Sequence, residues 1–505
     1  MGLFMGLVLI LSWGSCRKDF NYESSTGGLS FSKDTVFLDT IFTNIGSATY
    51  TLKVYNKGNR DINIPFIGLE TGQDSQYRLN VDGAAGKEFA DISLLAKDSL
   101  FVFIETTYDV APTNQTEFLY TEDLLFGIGP DTQRVPLVTL IKDAIFLYPA
   151  TLSDGTKETI VLGVDGEGNE IRVEGFYLQP DQLTFTNEKP YVVYGYAAVP
   201  DGNTLEAQAG ARVHFHNNSG IIVESGASLH INGSLSQDQE ALENEVIFEG
   251  DRLEPGYARE PGQWGAIWLR EGSLDNNLEH LTIKNATVGL RVEGDGFLAS
   301  PTLNLINTQI YNSSNHNLWA TAAHIVAENT VLGSAGGNSF LGSLEGSYSF
   351  VHCTLANFWT HGFRGGTALA LTNFDGNSTS DLENAQFTNC IVAGSMSIEF
   401  QLLQDPASAF NFGFSHCLMQ FSDPNGSLAD DPLYNFGDSN LYLNVLLDQD
   451  PDFSLPFKDQ FQIGTNSSAL DVADPDLIPP VPTDILGVDR TQNPDIGAYE
   501  FVPEN

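Results

Sequence analysis

Leu278-Glu-His280-Leu-Thr-Ile283 states a pattern that returns five times further along the chain. It reappears as Leu305-Ile-Asn307-Thr-Gln-Ile310, Ala327-Glu-Asn329-Thr-Val-Leu332 and Phe350-Val-His352-Cys-Thr-Leu355. It continues as Phe387-Thr-Asn389-Cys-Ile-Val392 and Phe414-Ser-His416-Cys-Leu-Met419. The Asn and His positions lie 27, 22, 23, 37 and 27 residues apart, a solenoid period with insertions. Each copy reads inward, outward, corner, then inward, outward, inward. Asn tolerates the left-handed backbone a tight corner demands, and its side chain can bond to the next coil. Coils stacked about 4.8 Å apart align equivalent side chains into ladders. The pattern therefore predicts a parallel β-helix.

In that reading Leu281, Thr308, Thr330, Cys353, Cys390 and Cys417 form one column facing the core. The three cysteines become a buried stack of thiols, with a disulfide between two of them as the alternative. His352, Cys353, His416 and Cys417 do not form a metal set, because the adjacent side chains point different ways. Upstream, Asn203–His216, Gly220–Gly226, Ala227–Ser234 and Glu245–Gly250 are short β-rich runs separated by Gly or Asn. They are too short for helices and extend the solenoid back to about Leu183.

The whole chain has 505 residues, 42% of them hydrophobic, with 33 Phe and 17 Tyr. This composition supports a sizeable core and excludes an acidic disordered chain. The net charge of −42 argues against nucleic acid and against adhesion to anionic lipid by a basic face. From Leu29 to Asp143 strands recur about every 10 residues between Gly, Asn and Asp turns, which suggests an antiparallel sandwich. Strand candidates there are Thr49–Asn56, Asp61–Phe66 and Ser99–Glu105. Residues 144–182 read as a connector with a hairpin around Asp165-Gly-Glu-Gly-Asn-Glu170.

At the N-terminus, Leu3–Trp13 is an uncharged apolar run too short to span a bilayer, so it reads as a signal-peptide core. The sequence Leu-Ser-Trp-Gly-Ser-Cys16 resembles a bacterial lipoprotein signal, which implies residues 1–15 as the signal, lipidation at Cys16 and a tether over 16–28. The Cys-Arg-Lys-Asp start is similar to lipoproteins carried to the outer membrane and often exposed at the cell surface. Its only membrane contact would then be the N-terminal lipid. The Leu52-Lys-Val-Tyr-Asn-Lys-Gly58 segment and the strand after it resemble immunoglobulin-like modules, implying such a sandwich over 29–143. Pro261-Gly-Gln-Trp-Gly-Ala-Ile-Trp-Leu269 and His352-Cys-Thr-Leu-Ala-Asn-Phe-Trp359 resemble coils of right-handed parallel β-helices of the pectin-lyase-like superfamily. The tail Gly487-Val-Asp-Arg-Thr-Gln-Asn-Pro-Asp-Ile-Gly-Ala-Tyr-Glu500 is similar to the closing motif of the choice-of-anchor family. These resemblances imply a right-handed β-helix over 183–470 and a C-terminal cap over 471–505, covering the last coil and its strand edges.

The superfamily includes polysaccharide lyases and hydrolases, so chemistry needs a site. Acids are too abundant for the sequence to isolate a catalytic pair, and no catalytic residue is assigned. The densest constellation is Phe358-Trp-Thr-His-Gly-Phe-Arg-Gly-Gly366. It offers Trp359 as a sugar platform, His361 as an acid–base group and Arg364 as a cation, a candidate glycan-binding site. No metal site or cofactor is assigned. Calcium is the one ion the acidic turns at 165–170, 448–452 and 471–476 leave room for, solvated turns being the other reading. The expectation is an all-β exported protein: a non-catalytic surface scaffold for polysaccharide or a cell-surface protein, the alternative being a carbohydrate-active enzyme.

Overall fold

The computed structural model describes residues 22–109, 116–294, 300–376, 378–477 and 479–503. The predicted signal, Cys16 and most of the predicted tether lie outside the described residues. The chain divides into two compact units, one up to Asp143 that also takes in Leu253–Pro255, and one from Ala144 onward.

The leading unit holds a seven-stranded and a five-stranded sheet, mostly antiparallel. Tyr50–Tyr55, Ile62–Leu69 and Ser99–Thr106 are its strands at the three predicted places. Their alternation drives folding: Leu52, Val54, Val102 and Ile104 are buried and enter one core with Ile64, Tyr77 and Leu124. Asn56 closes the turn after the first of these strands, its Oδ1 accepting from Gly58 N at 3.0 Å.

From Ala144 the chain is a parallel β-helix. Three sheets of eleven, ten and ten strands form its faces. The first runs from Ile145–Leu147 to Leu446–Leu447, the second from Thr159–Val164 to Phe400–Leu403, and the third from Thr184–Phe185 to Tyr442–Leu443. Within these faces the pairings are parallel except for the hairpin of Thr159–Val164 with Glu170–Tyr177. The stretch read as a connector holds that hairpin and also lays the first rungs of the first and second faces. Hairpin residue Ile160 packs on Ala198 and Ile222, outward side chains of the second face.

Corners sit where the repeat places them. His280, Asn307, Asn329, His352, Asn389 and His416 all have φ between 47° and 55°. A seventh corner, Asn444 (φ 52°), belongs to Tyr442-Leu-Asn-Val-Leu-Leu447, a copy of the pattern missed in the sequence. Neighbouring corners bond in pairs: Asn307 Nδ2 donates to His280 Nε2 (3.1 Å), Asn329 Nδ2 to Asn307 Oδ1 (3.0 Å), Asn389 Nδ2 to His352 Nε2 (3.0 Å) and Asn444 Nδ2 to His416 Nε2 (2.8 Å). The column after the corner is buried at every position from Leu281 to Cys417. Thr330 and the three cysteines turn their Oγ or Sγ to the carbonyl two residues back, so their polar atoms are satisfied. All three cysteines are free, which corrects the disulfide alternative. Burial between the other two pushes the Cys390 thiol well above its ordinary range. In the Trp-Gly coil, Trp264 stacks on Phe215 at 4.4 Å and donates to Lys284 O. Gly265 is needed beside it, because a Cβ there would come 2.2 Å from Tyr196 Oη.

The C-terminal end differs from expectation. The core at the C-terminal end is closed by Phe421, Tyr434, Phe436 and Tyr442, packed on Phe400, Phe412 and Phe414. Tyr434 Oη also accepts from Leu402 N (2.9 Å) on the exposed edge strand. The plug is thus residues 421–442, ahead of the predicted cap. The segment from 448 onward instead folds back along the outer side of the first face. Val331, Ile391 and Leu418, outward positions of the repeat, are covered by Phe461, Ile485, Ile496 and Ala469. Ala498 N donates to Thr354 Oγ1, Gly497 N to Asn389 O and Tyr499 Oη to Gln309 Oε1. The physical reason is composition: three apolar side chains on an outward strand position need a cover, and the segment from 448 onward supplies it.

That strap is fixed by one buried cation. Between Asn329 and His352 the corner ladder has no side-chain bond, and there Asn329 Nδ2 donates to Thr483 O while Arg490 Nη1 contacts His352 Nδ1. Arg490 also donates to Gly497 O (2.9 Å), and its Nε stands 3.2 Å from Glu500 Oε1, an ion pair angled off a hydrogen bond. Asp484 and Asp495 surround it and take backbone N–H groups from Leu486, Val488, Asp471 and Phe501. Burial, with the guanidinium beside it, holds the His352 imidazole down to about 2, so it stays neutral.

Candidate functional site

The loop after Asn357 carries Trp359, His361 and Arg364, and it does not bring them together. Trp359 and His361 are neighbours, ring centroids 5.3 Å apart, with His361 exposed. Trp359 is half-buried, and a Cβ on Gly336 would come 3.2 Å from its Cζ2. Arg364 turns inward. Its side chain is 7% exposed and its Nη2 lies 2.7 Å from Glu399, which is fully buried. It also donates to Asn357 O and contacts Met396 Sδ at 3.2 Å. Glu399 further accepts from Met396 N (2.7 Å) and Ala368 N (3.0 Å). Burial pushes its carboxyl up to about 7, against the pull of Arg364 and those donors. This cation closes a loop on the solenoid wall and is not available to a ligand, which corrects its predicted role. What the loop does expose is Phe363, at 93%.

The acidic turns place their carboxylates on protein donors. Asp165 accepts from Glu167 N, Asn169 N and Asn169 Nδ2, which holds it below the usual carboxylate range. Asp448, Asp450 and Asp452 line a cleft of about 390 Å³ beside Phe358 and Phe453. They accept from Gln420 Nε2, Asp452 N and Asn466 N respectively. Among the described residues no group of three His, Cys, Asp or Glu side chains is placed to hold a metal ion.

A second cleft, of about 550 Å³, went unread in the sequence. His216, Asn217, Asp251, Arg252, Tyr257, Glu260 and Gln263 are among the residues lining it. The register builds it: Phe215 pairs with Gly250, so His216 and Asp251 leave the same corner on adjacent rungs. His216 Nδ1 and Asp251 Oδ2 are 2.7 Å apart, with Asp251 buried and half of the His216 side chain exposed. Tyr194 stacks on the imidazole at 4.4 Å. Nδ1 is engaged, which leaves Nε2 toward the cleft. The bond to Asp251 raises the His216 imidazole above its ordinary value, burial opposing. A raised folded value means this pair adds stability below about pH 6.5 and loses it as pH climbs through the folded midpoint. An NMR titration should therefore place the His216 midpoint above that of a free imidazole, and Asp251→Asn should return it. A midpoint at or below the free value would remove the Asp251 contact.

No family model matches the chain, and no curated protein matches it. Among solved structures, a PapD-like domain of human CEP192 matches over 25% of this chain and 92% of that domain, at 13% identity and TM-score 0.16. The major pilin subunit BcpA of Bacillus cereus matches over 29% of this chain at 11% identity and TM-score 0.14, the match spanning about half of that pilin, 52%. The catalytic domain of a GH87 alpha-1,3-glucanase matches over 72% of this chain and 77% of that domain, at 10% identity and TM-score 0.13. At these scores none of the three bears on what this chain does.

Proposed function

We propose that this is an exported protein, lipid-anchored at Cys16 on the outer membrane and displayed at the cell surface, whose β-helix is a non-catalytic scaffold that binds glycan. The leading unit serves as an immunoglobulin-like spacer between anchor and solenoid. One observation carries the non-catalytic reading: neither cleft presents two unengaged carboxylates. Asp448, Asp450 and Asp452 accept from Gln420 Nε2, Asp452 N and Asn466 N, and Asp251 is held by His216. Glycoside hydrolysis needs two carboxyl groups facing one bond. The interior offers no alternative, because one continuous cluster of buried apolar side chains runs from Leu147 to Tyr442.

The second reading, a carbohydrate-active enzyme, is favoured by the His216–Asp251 pair, since an imidazole fixed by a buried carboxylate is a serviceable acid–base group. One experiment separates the two. The mature chain from Arg17 is incubated with neutral and acidic polysaccharides, with and without calcium, and binding and new chain ends are read together. The scaffold reading expects binding with no new reducing or unsaturated ends. Cleavage that disappears in His216→Ala would replace it with the enzyme.

A further inference from the structure

The His216 cleft has the chemistry of a ligand site that the rest of the molecule does not explain. Its imidazole is oriented from behind by Asp251 at 2.7 Å and braced by Tyr194, and Nε2 has no hydrogen bond among the described residues. Gln263 is fixed in the opposite sense. Its Nε2 donates to Tyr257 O (2.7 Å) and Glu260 O (2.8 Å), while its Oε1 is buried with no partner. That oxygen packs against Gly250, where an added Cβ would come 2.3 Å from it, so it braces the cleft wall and is closed to a ligand. The Tyr257 ring, 36% exposed, is backed by the Arg252 guanidinium 4.0 Å from its centroid. The wall thus combines an aromatic ring with planar polar groups, the mixture that fixes orientation in small-ligand sites.

Charge selects the class. The lining carries Asp251 and Glu260 together with Arg252 and the His216 imidazole, so neither sign dominates the wall. The chain as a whole, at −42, repels polyanions. We infer that this cleft binds an uncharged sugar ring of a neutral glycan, with the His216 Nε2 meeting a hydroxyl group and Tyr257 its apolar face. The inference rests on the glycan-binding reading and gives that reading a place and a ligand class.

The test uses the mature full chain and isothermal titration with neutral oligosaccharides of glucose, mannose, galactose and xylose, with oligogalacturonate as the charged comparator. Binding of at least one neutral oligosaccharide is expected, weakened at least tenfold in His216→Ala and in Tyr257→Ala and unchanged in Leu443→Ala, an exposed side chain outside both clefts. A shift of the His216 ring resonances on adding that sugar to the native chain keeps the test decisive should a variant fail to fold. Unchanged affinity in both cleft variants, or no resonance shift, overturns the cleft assignment and leaves the scaffold reading standing. Binding of oligogalacturonate alone overturns the neutral class. No binding of any oligosaccharide overturns the glycan-binding reading itself.

Discussion

Arg490→Ala is expected to destabilise the solenoid unit by about 3–5 kcal/mol, the cost of removing one partner from a buried charge cluster. The side chain is fully buried, with Asp484, Asp495 and Glu500 around it. With the guanidinium gone, those carboxyls remain under the strap without a counter-charge. Burial already pushes the Glu500 carboxyl up to about 7, with Arg490 opposing. Without Arg490 it should rise further and be neutral at pH 7. The variant should also free residues 448–503, so limited proteolysis ought to cut the tail while leaving the coils whole. Arg490→Lys should fall in between, since a single ammonium cannot reach both Gly497 O and Glu500 as the fork does. Chemical denaturation of the three proteins gives the ranking. An Arg490→Ala chain as stable as the parent would mean that the strap is held by its apolar contacts alone.

Phe387→Ala should cost about as much, roughly 3–5 kcal/mol, for a different reason. Phe387 belongs to an inward column of the third face, in register with Phe350 below and Phe414 above. Ring centroids are 5.1 and 5.0 Å apart, and Tyr442 continues the stack 5.7 Å beyond Phe414. Parallel coils in fixed register cannot close over the missing ring without breaking both ladders, so the cavity persists. Phe363→Ala is the matched control. Its ring is 93% exposed, so the same chemical change should move stability by no more than about 0.5 kcal/mol. Equal effects at the two sites would contradict the assignment of inside and outside.

The coils were legible in the sequence because the corner is a local demand. A residue with φ near 50° must be Gly, Asn or a rarer tolerant residue, and the strand on either side repeats with period two. The pattern even carried Asn444, which differs from the other copies only in following a long turn segment. The strap was not legible, since its partners are as far as 190 residues away for Tyr499 and Gln309 and 200 for Asp459 and Arg259. One trace of it was present: Val331, Ile391 and Leu418 are apolar at a position that should face water. Arg364 misled because an Arg in a Gly-rich loop reads as exposed, whereas its partner Glu399 sits 35 residues on, in the following coil. His216 and Asp251 are also 35 residues apart. Only the pairing of Phe215 with Gly250 brings them to one corner.

Which faces of the solenoid can bind anything depends on whether the chain from 448 onward is part of its wall. Amide hydrogen exchange on the intact protein tests this directly. The account predicts that the amides of Ile496, Gly497 and Ala498, bonded to Ala469 O, Asn389 O and Thr354 Oγ1, exchange as slowly as those of the Phe387 strand. Exchange of these three within seconds, with the coils still protected, would show that the tail is loose. The first face would then be open to ligands along its whole length, and the binding surface would have to be sought there.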